Sequence, residues 1–116
     1  MNYDSENIFA KILRKEAPCT VVYEDDFVLA FNNIEPAAAI HFLVIPKGPY
    51  RDYVDFIKVA DDSEIIGFYK GIHKAVIAAG ITEGFKLLTN SGHDAGQRVM
   101  HYHVHVLAGK DMPKIG

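Results

Sequence analysis

The stretch Gln97-Arg98-Val99-Met100-His101-Tyr102-His103-Val104-His105-Val106-Leu107-Ala108 carries three of the six histidines of the chain at alternate positions. Aromatic and β-branched residues stand between them, which predicts a β-strand. Because side chains alternate between the two faces of a strand, the three imidazoles would share one face at a spacing of roughly 6.5 Å. The side chains of Tyr102, Val104 and Val106 would lie on the other face, against a hydrophobic core.

Three interpretations of this histidine row are open from the spacing alone. The row could be the polar face of a half-buried strand without a function, although three histidines in strict alternation make this the weakest interpretation. The three imidazoles could bind a catalytic zinc ion that keeps water in its fourth position. Alternatively, one imidazole could attack an electrophile while its neighbours orient it and the leaving group. The spacing does not separate the last two.

The composition limits what kind of protein contains this row. A chain of 116 residues is expected to form a single domain, residues 1–116, with a core of its own. The formal net charge of -3 argues against binding of long nucleic acids. Cys19 is the only cysteine, so no intrachain disulfide is possible and a reducing, cytoplasmic setting is expected. The polar opening and the lack of a long apolar run predict neither a secretory signal nor a membrane span.

Short helical segments are expected at two places. Asp4 or Ser5 is predicted to cap a short helix near the start of the chain, because apolar residues then recur at helical spacing. Residues 53–57 indicate a further helical turn.

A long helix is expected in the second half of the chain. Asp61 and Glu64 form the pattern of a capping box, and the apolar spacing that follows extends to about Ala79. Gly67 and Gly71 weaken this helix, so we predict that they permit close packing of a neighbouring element.

Segments with the character of strands outnumber the helices and follow one another through short turns, which favours an antiparallel α+β sheet over repeated βαβ units. They cover residues 20–24, 27–31, 40–45 and 84–90 and the histidine row. The segment Ser91–Gly96 leads into that row, and its two glycines permit left-handed backbone. It could direct successive amides at an anion, or it could be an ordinary hairpin turn.

The row from His101 to Leu107 matches the signature of the histidine triad (HIT) family, in which three histidines alternate with apolar residues. Further segments resemble the Hint branch of that family: Asn7-Ile8-Phe9-Ala10-Lys11-Ile12, Glu24-Asp25-Asp26, Leu29-Ala30-Phe31, His41-Phe42-Leu43-Val44-Ile45-Pro46-Lys47 and Gly96-Gln97. The resemblance covers nearly the whole chain. It implies an α+β fold with a five-stranded antiparallel sheet, one long helix and one short helix. It also implies a homodimer whose two sheets join and a purine nucleotide bound at each triad.

The chemistry implied by the resemblance is hydrolysis at the α-phosphorus of AMP or GMP joined to an amine. His103 would be the nucleophile and would form a nucleotidyl-histidine intermediate. The carbonyl of His101 would fix the tautomer of His103, while His105 and His41 would lie around the phosphate oxygens. Covalent catalysis of this kind needs neither a metal nor another cofactor, and no carboxylate adjoins the row to order a zinc ligand. We therefore favour the nucleophile over zinc.

The resemblance also implies the residues that hold the nucleotide. Asn90, Gln97 and backbone amides near Gly96 would form an anion cradle. Asn33 would face the ribose. The base would lie between apolar side chains, namely Ile8, Phe9, Ile12, Phe31 and Ile34.

Two positions depart from the family pattern. Asn33 occupies a position where the family often has Asp, so the ribose would meet an uncharged amide. Arg98 replaces a common Ser near the leaving group and cannot release a proton near neutral pH. These changes leave two alternatives open: a hydrolase of dinucleoside polyphosphates, and a nucleotide-binding scaffold with little catalysis.

Overall fold

The computed structural model describes residues 2–114. This part of the chain contains three α-helices and five strands, with one 3₁₀ turn at His93–Ala95. In chain order the elements are α1 (Ile8–Leu13), β1 (Val21–Glu24), β2 (Val28–Asn32), β3 (Ile40–Pro46), α2 (Tyr53–Val59), α3 (Asp62–Ala78), β4 (Phe85–Leu88) and β5 (Val104–Ala108).

The five strands form one sheet in the order β1-β2-β3-β5-β4, and every neighbouring pair is antiparallel. The predicted α+β fold with a five-stranded antiparallel sheet is therefore confirmed. Strand β3 lies in the middle, where Leu43 pairs with His105 and Val44 pairs with Val104. Its residues from His41 to Pro46 are all buried, as expected of a central strand rich in β-branched and large apolar residues.

Helix α3 covers one face of the sheet. Asp61 accepts a hydrogen bond from the backbone of Glu64, and the Glu64 side chain accepts one from the backbone of Asp61, so the predicted capping box is present. A Cβ atom on Gly71 would lie 2.6 Å from Cγ1 of Val28 in strand β2. The glycine therefore lets α3 approach the sheet more closely than any other residue would allow, as predicted.

The two short helices correct and extend the prediction. Helix α1 is capped by Asn7, whose side chain accepts from Ala10 N at 2.9 Å, and not by Asp4 or Ser5. The Asn7 amide also donates to the carbonyl of Asp4 at 2.7 Å, so Asp4 supports the cap from outside the helix. The expected helical turn near residue 53 is a full second short helix, α2, capped by Asp52.

The opposite face of the sheet carries a smaller apolar cluster. Alternation along the strands places Phe42 and Val44 toward α3, and Leu43 and Ile45 on this second face. The cluster is formed by Phe9, Ile12, Leu29, Phe31, Leu43 and Ile45.

Within residues 2–114, no helix has both the length and the apolar character needed to cross a membrane.

Candidate active site

The histidine row is only partly a strand, which corrects the prediction. Strand β5 begins at Val104, because the preceding backbone bonds to groups outside the sheet. Tyr102 N donates to the carbonyl of Tyr50 at 2.7 Å, and the Thr89 hydroxyl donates to the carbonyl of His103 at 2.7 Å. These two bonds replace the ladder that residues 101–103 would otherwise have continued.

The alternation of side chains nevertheless persists through this irregular segment. Tyr102 is 1% exposed and belongs to the apolar core beneath α3. The rings of His103 and His105 lie 5.2 Å apart, on the opposite side of the chain. The predicted separation of histidine face and core face is therefore present.

His103 is held in one tautomer by its neighbour. Its Nδ1 lies 2.7 Å from the carbonyl oxygen of His101. Since a carbonyl oxygen can only accept, Nδ1 carries the proton and Nε2 carries the lone pair. The edge of the Phe9 ring meets the imidazole at a centroid distance of 5.1 Å. Burial lowers the pKa of His103, although its bond to His101 acts in the opposite direction, so the ring is neutral near pH 7.

His101 is the most deeply placed of the three and has hydrogen bonds at both ring nitrogens. Nε2 lies 3.0 Å from the carbonyl of Pro46, and Nδ1 lies 2.6 Å from the hydroxyl of Tyr3. The Pro46 carbonyl requires the proton on Nε2, so the Tyr3 hydroxyl donates to Nδ1. Burial lowers the pKa of His101 to about 4; the Pro46 bond opposes this shift and His103 adds to it. The ring is therefore neutral, and its own backbone carbonyl orients His103.

A second chain of hydrogen bonds fixes His41 and His105. The backbone N–H of Ala37 donates to Nδ1 of His41 at 2.9 Å, so neutral His41 carries its proton on Nε2. That Nε2 lies 2.9 Å from Nδ1 of His105. His105 therefore accepts at Nδ1 and carries a proton on Nε2. Burial lowers the pKa of both rings, and His103 and His41 help to lower that of His105 to about 4.

Asn33 lies directly beside the hydrogen bond between His41 and His105. Its Nδ2 is 3.2 Å from Nε2 of His41, while its Oδ1 accepts from Glu35 N at 3.0 Å. Because Nδ2 and Nε2 both carry protons in this arrangement, the two atoms are in contact without a hydrogen bond between them. The Nε2 proton of His41 is thus directed to His105.

The loop before the histidines has the predicted left-handed glycines, with φ +89° at Gly92 and +85° at Gly96. Its amides, however, are engaged inside the loop. Gly96 N donates to the carbonyl of His93 at 3.0 Å, and Gln97 N donates to the carbonyl of Gly92 at 3.1 Å. The Gly96 and Gln97 amides therefore close the turn, and an anion contact by backbone amides near Gly96 stays a prediction.

The Gln97 side chain braces the backbone around the loop, and its contact with an anion stays a prediction. It is 5% exposed, accepts from Gly92 N at 2.8 Å, and donates to the carbonyls of Arg51 and Val99 at 2.7 and 3.0 Å. These three bonds join the loop, the start of the α2 region and the segment that leads to His101. Gln97 therefore fixes where the histidine row begins.

The other predicted binding residues fall into three groups. Phe9, Ile12 and Phe31 pack together in the apolar cluster on the histidine side of the sheet. Ile8 and Ile34 are 46% and 95% exposed, so they offer apolar surface to solvent. The polar members are Asn90, which is half-buried after β4, and Arg98, which is exposed just before the bend that begins at Val99.

The zinc interpretation conflicts with how the imidazoles are used. In residues 2–114, no group of three or more His, Cys, Asp or Glu side chains is placed to hold a metal ion. Both ring nitrogens of His101 and of His41 are already hydrogen-bonded, and a zinc ligand needs a free nitrogen lone pair. A three-histidine zinc site would require these bonds to break.

Four supporting groups were not predicted from the sequence: the hydroxyls of Tyr3 and Thr89, the carbonyl of Pro46 and the N–H of Ala37. Two of them are backbone groups, and the residue type does not indicate which partner a backbone group will bond. Tyr3 lies 98 residues from His101 in the chain, and no spacing rule connects the two. The signal that could have raised Tyr3 is an aromatic residue within an otherwise polar opening.

The fold and the site together define an α+β protein with a cluster of buried and half-buried histidines on one face of its sheet. The model of the HIT domain family matches residues 14–112. A "14 kDa zinc-binding protein" of Zea mays is 42% identical over 94% of this chain and 86% of its own length. "Adenylylsulfatase HINT1" of Arabidopsis thaliana is 41% identical over 94% of this chain and 75% of its own.

A solved structure of a HIT family hydrolase from Clostridium thermocellum has a TM-score of 0.81 and 40% sequence identity to this chain, and covers 97% of this chain and 98% of its own. The chain belongs to the HIT family.

Proposed function

We propose that this protein hydrolyses purine nucleoside 5'-phosphoramidates through a nucleotidyl-histidine intermediate on His103. The observation that carries the proposal is the 2.7 Å bond from Nδ1 of His103 to the carbonyl of His101. This bond leaves the lone pair on Nε2, and the lowered pKa keeps that lone pair unprotonated near pH 7. A neutral, oriented imidazole is a nucleophile that can split one difficult displacement into two easier ones.

The first step forms a bond from Nε2 of His103 to the α-phosphorus while the P–N bond to the amine breaks. The departing nitrogen takes the electron pair of that bond and a proton. His105 carries a proton on Nε2, so it is our candidate to hydrogen-bond the leaving nitrogen or a phosphate oxygen, while the proton that the amine takes comes from water. A second water then attacks phosphorus as the bond from phosphorus to Nε2 of His103 breaks. The electron pair of that bond returns to Nε2, which restores neutral His103, and the proton lost by the attacking water replaces the one that the amine took from water.

The names of two similar proteins support hydrolysis, and one of them supports hydrolysis at an adenylyl group. One relative is an adenylylsulfatase, and a structural neighbour is a HIT family hydrolase. Neither name specifies a P–N substrate, so the phosphoramidate is the finer part of our proposal.

We assign the nucleoside to the apolar cluster beside the triad. Phe9 already contacts His103, and it packs on Phe31 at a ring-centroid distance of 5.4 Å. The exposed side chains of Ile8 and Ile34 would be covered by the base, which removes their apolar surface from water. Asn33, beside His41, would meet the ribose hydroxyls.

The exposed guanidinium of Arg98 is relevant to which leaving group the substrate carries. A permanent cation that precedes the histidine row in the chain would attract additional phosphate, which is the feature that favours dinucleoside polyphosphates as an alternative substrate. Asn90 is our remaining candidate for a phosphate contact.

We also propose a cytoplasmic homodimer in which the sheets join at β4. Strand β4 lies at one edge of the sheet, and its alternate residues Phe85 and Leu87 are 42% and 49% exposed. An exposed apolar edge strand is a template for pairing with a second copy. Sedimentation should give twice the chain mass, and Leu87→Lys should shift the protein toward monomer; a wild-type monomer at micromolar concentration would overturn this part.

The experiment that tests the function is a substrate comparison on the purified chain. Adenosine and guanosine 5'-phosphoramidates, a diadenosine polyphosphate and AMP are compared for turnover and binding. Faster cleavage of P–N than of P–O–P bonds supports the proposal. Cleavage of the polyphosphate alone would identify the protein as a dinucleoside polyphosphate hydrolase instead. AMP binding without turnover of any substrate would favour a nucleotide-binding scaffold with little catalysis.

A further inference from the structure

Tyr3 contacts the triad from the other end of the chain. Its hydroxyl lies 2.6 Å from Nδ1 of His101, and the two rings meet edge to face at a centroid distance of 5.7 Å. The side chain is half-buried, whereas His101 is completely buried. The contact is thus made within the protein and is not a surface encounter.

We propose that Tyr3 is a positioning residue for the triad: its hydroxyl holds the His101 ring, and through it the backbone carbonyl that orients His103. This inference rests on the proposed function, because it assigns Tyr3 to the same hydrolysis. Tyr3 does not reach the reacting atoms and acts through His101.

The direction of each hydrogen bond follows from elementary chemistry. The Pro46 carbonyl accepts from Nε2 of His101 at 3.0 Å, so Nδ1 of the neutral ring is an acceptor. The phenol of Tyr3 is the donor that satisfies it. Burial raises the pKa of Tyr3, which keeps the phenol protonated and able to donate. The ring is therefore clamped between the end of strand β3 and the N-terminal arm, residues 2–7.

Helix α1, which follows this arm, contacts His103 through Phe9. Asn7 caps α1 and bonds the Asp4 carbonyl through both its backbone N–H and its side-chain amide, at 3.2 and 2.7 Å. Phe9 is the second residue of α1. Its ring meets the rings of His101 and His103 edge to face, at centroid distances of 6.5 and 5.1 Å. Fixing Tyr3 on His101 therefore also holds the arm from which α1 begins, and with it the Phe9 ring that packs on His103.

Loss of the hydroxyl would leave a buried acceptor without a donor. Such an atom is costly to keep unpaired, so the His101 ring would shift or admit water. Either change would move the His101 carbonyl relative to Nδ1 of His103. Because reaction rates depend steeply on the alignment of the nucleophile, the effect should appear in kcat more than in KM.

The test compares Tyr3→Phe with Tyr23→Phe. The first variant keeps the ring and removes only the hydroxyl. The second is a matched control, since the Tyr23 hydroxyl donates to Asp25 at 2.8 Å on an element that does not touch the triad. Each variant is assayed with adenosine 5'-phosphoramidate, and the ring nitrogens of His101 and His103 are observed by ¹⁵N NMR in the absence of substrate.

For Tyr3→Phe we expect about a 10-fold lower kcat, with KM changed by about twofold or less. We also expect changed resonances at Nδ1 of both His101 and His103, and none of these effects in Tyr23→Phe. An unchanged His103 resonance or an unchanged kcat would overturn the proposal. The NMR measurement needs no turnover, so a wild-type protein that hydrolyses nothing would count against the proposed function while the Tyr3 clamp is still decided by the two resonances.

Discussion

The two faces of the sheet are built from the same strands and are specified in different ways. On the α3 face, Phe42, Val44 and Val106 are fully buried among apolar side chains, and their positions follow from shape and volume. On the histidine face, the neighbouring residues His41 and His105 are held by hydrogen bonds that each have one possible direction. Apolar packing therefore determines the positions of the side chains on the α3 face, and the direction of hydrogen bonds determines those of the imidazoles on the histidine face.

Adjacent residues of one strand can therefore serve different purposes: those that face α3 stabilise the fold, and those that face the opposite side position the imidazoles. An apolar side chain on the α3 face can be replaced by another of similar volume at small cost. An imidazole on the histidine face cannot be replaced without leaving a buried donor or acceptor unpaired. Substitutions on the two faces should therefore affect different measurements.

The largest expected effect is on the histidine face. His103→Ala should lower kcat for adenosine 5'-phosphoramidate by roughly 10³-fold or more, because the attacking atom is removed. AMP affinity, measured by calorimetry, should change little, since the apolar cluster is untouched. His73→Ala, at an exposed position on α3, is the control and should retain full activity. Comparable turnover by His103→Ala and the wild type would exclude His103 as the nucleophile.

The next effect is a loss of stability in acid. The pKa of His101 is about 4 in the folded protein and near 6.5 when unfolded, so the unfolded chain binds the extra proton between these values. The free energy of unfolding is therefore unaffected by the titration of His101 above pH 6.5. It falls as the pH is lowered toward 4, by a total of about 3 kcal/mol. Urea unfolding between pH 7 and pH 5 should show the decline, before most carboxylates titrate.

The variant His105→Asn sharpens this pH test. It removes a second imidazole whose pKa is lowered by burial, so the free energy of unfolding should depend less steeply on pH in the variant than in the wild type. A free energy of unfolding that stays constant from pH 7 to pH 5 in the wild type would show that the imidazoles are not buried in the neutral form.

A smaller effect is expected on the α3 face. Gly71→Ala should destabilise the protein by about 1–2 kcal/mol, because overpacking against Val28 exceeds the gain in helix propensity. Gly67→Ala is the matched control: its Cβ would meet the ring of Phe27, which is 39% exposed and can swing outward. In a Val28→Ala background, Gly71→Ala should become neutral or stabilising. If it remained equally costly there, the close approach would not be the cause.

The smallest expected effect is that of chelation. Because the ring nitrogens of His101 and His41 are engaged in hydrogen bonds, we expect turnover to be unchanged after treatment with a chelator. Metal analysis of the untreated protein and a zinc add-back series provide the check. Loss of turnover that zinc restores would return the histidine row to the metal interpretation.

The sequence predicted the features that depend on periodicity. Alternation gave the two faces of the histidine segment, and the spacing of Asp61 and Glu64 gave the start of α3. It did not predict that β5 begins at Val104, because that limit depends on bonds from Tyr102 and Thr89 to distant parts of the chain. For the same reason the sequence did not reveal the role of Tyr3.

Residue type did not determine which partner a side chain or backbone amide bonds when two partners were possible. A glycine turn suits an anion or a closed loop equally well, and here Gly96 closes the loop. Gln97 is predicted to contact a phosphate, and the sequence did not reveal that its amide also bonds three backbone groups. In both cases the sequence showed that hydrogen-bonding groups were present and the fold determined what they bond.

The covalent role of His103 is tested most directly by the stereochemistry at phosphorus. An adenosine 5'-phosphoramidothioate of known configuration is hydrolysed in ¹⁸O-labelled water, and the configuration of the product is determined. Two in-line displacements, the first by His103 and the second by water, predict net retention. Net inversion would show that water attacks phosphorus in a single step and would contradict the account.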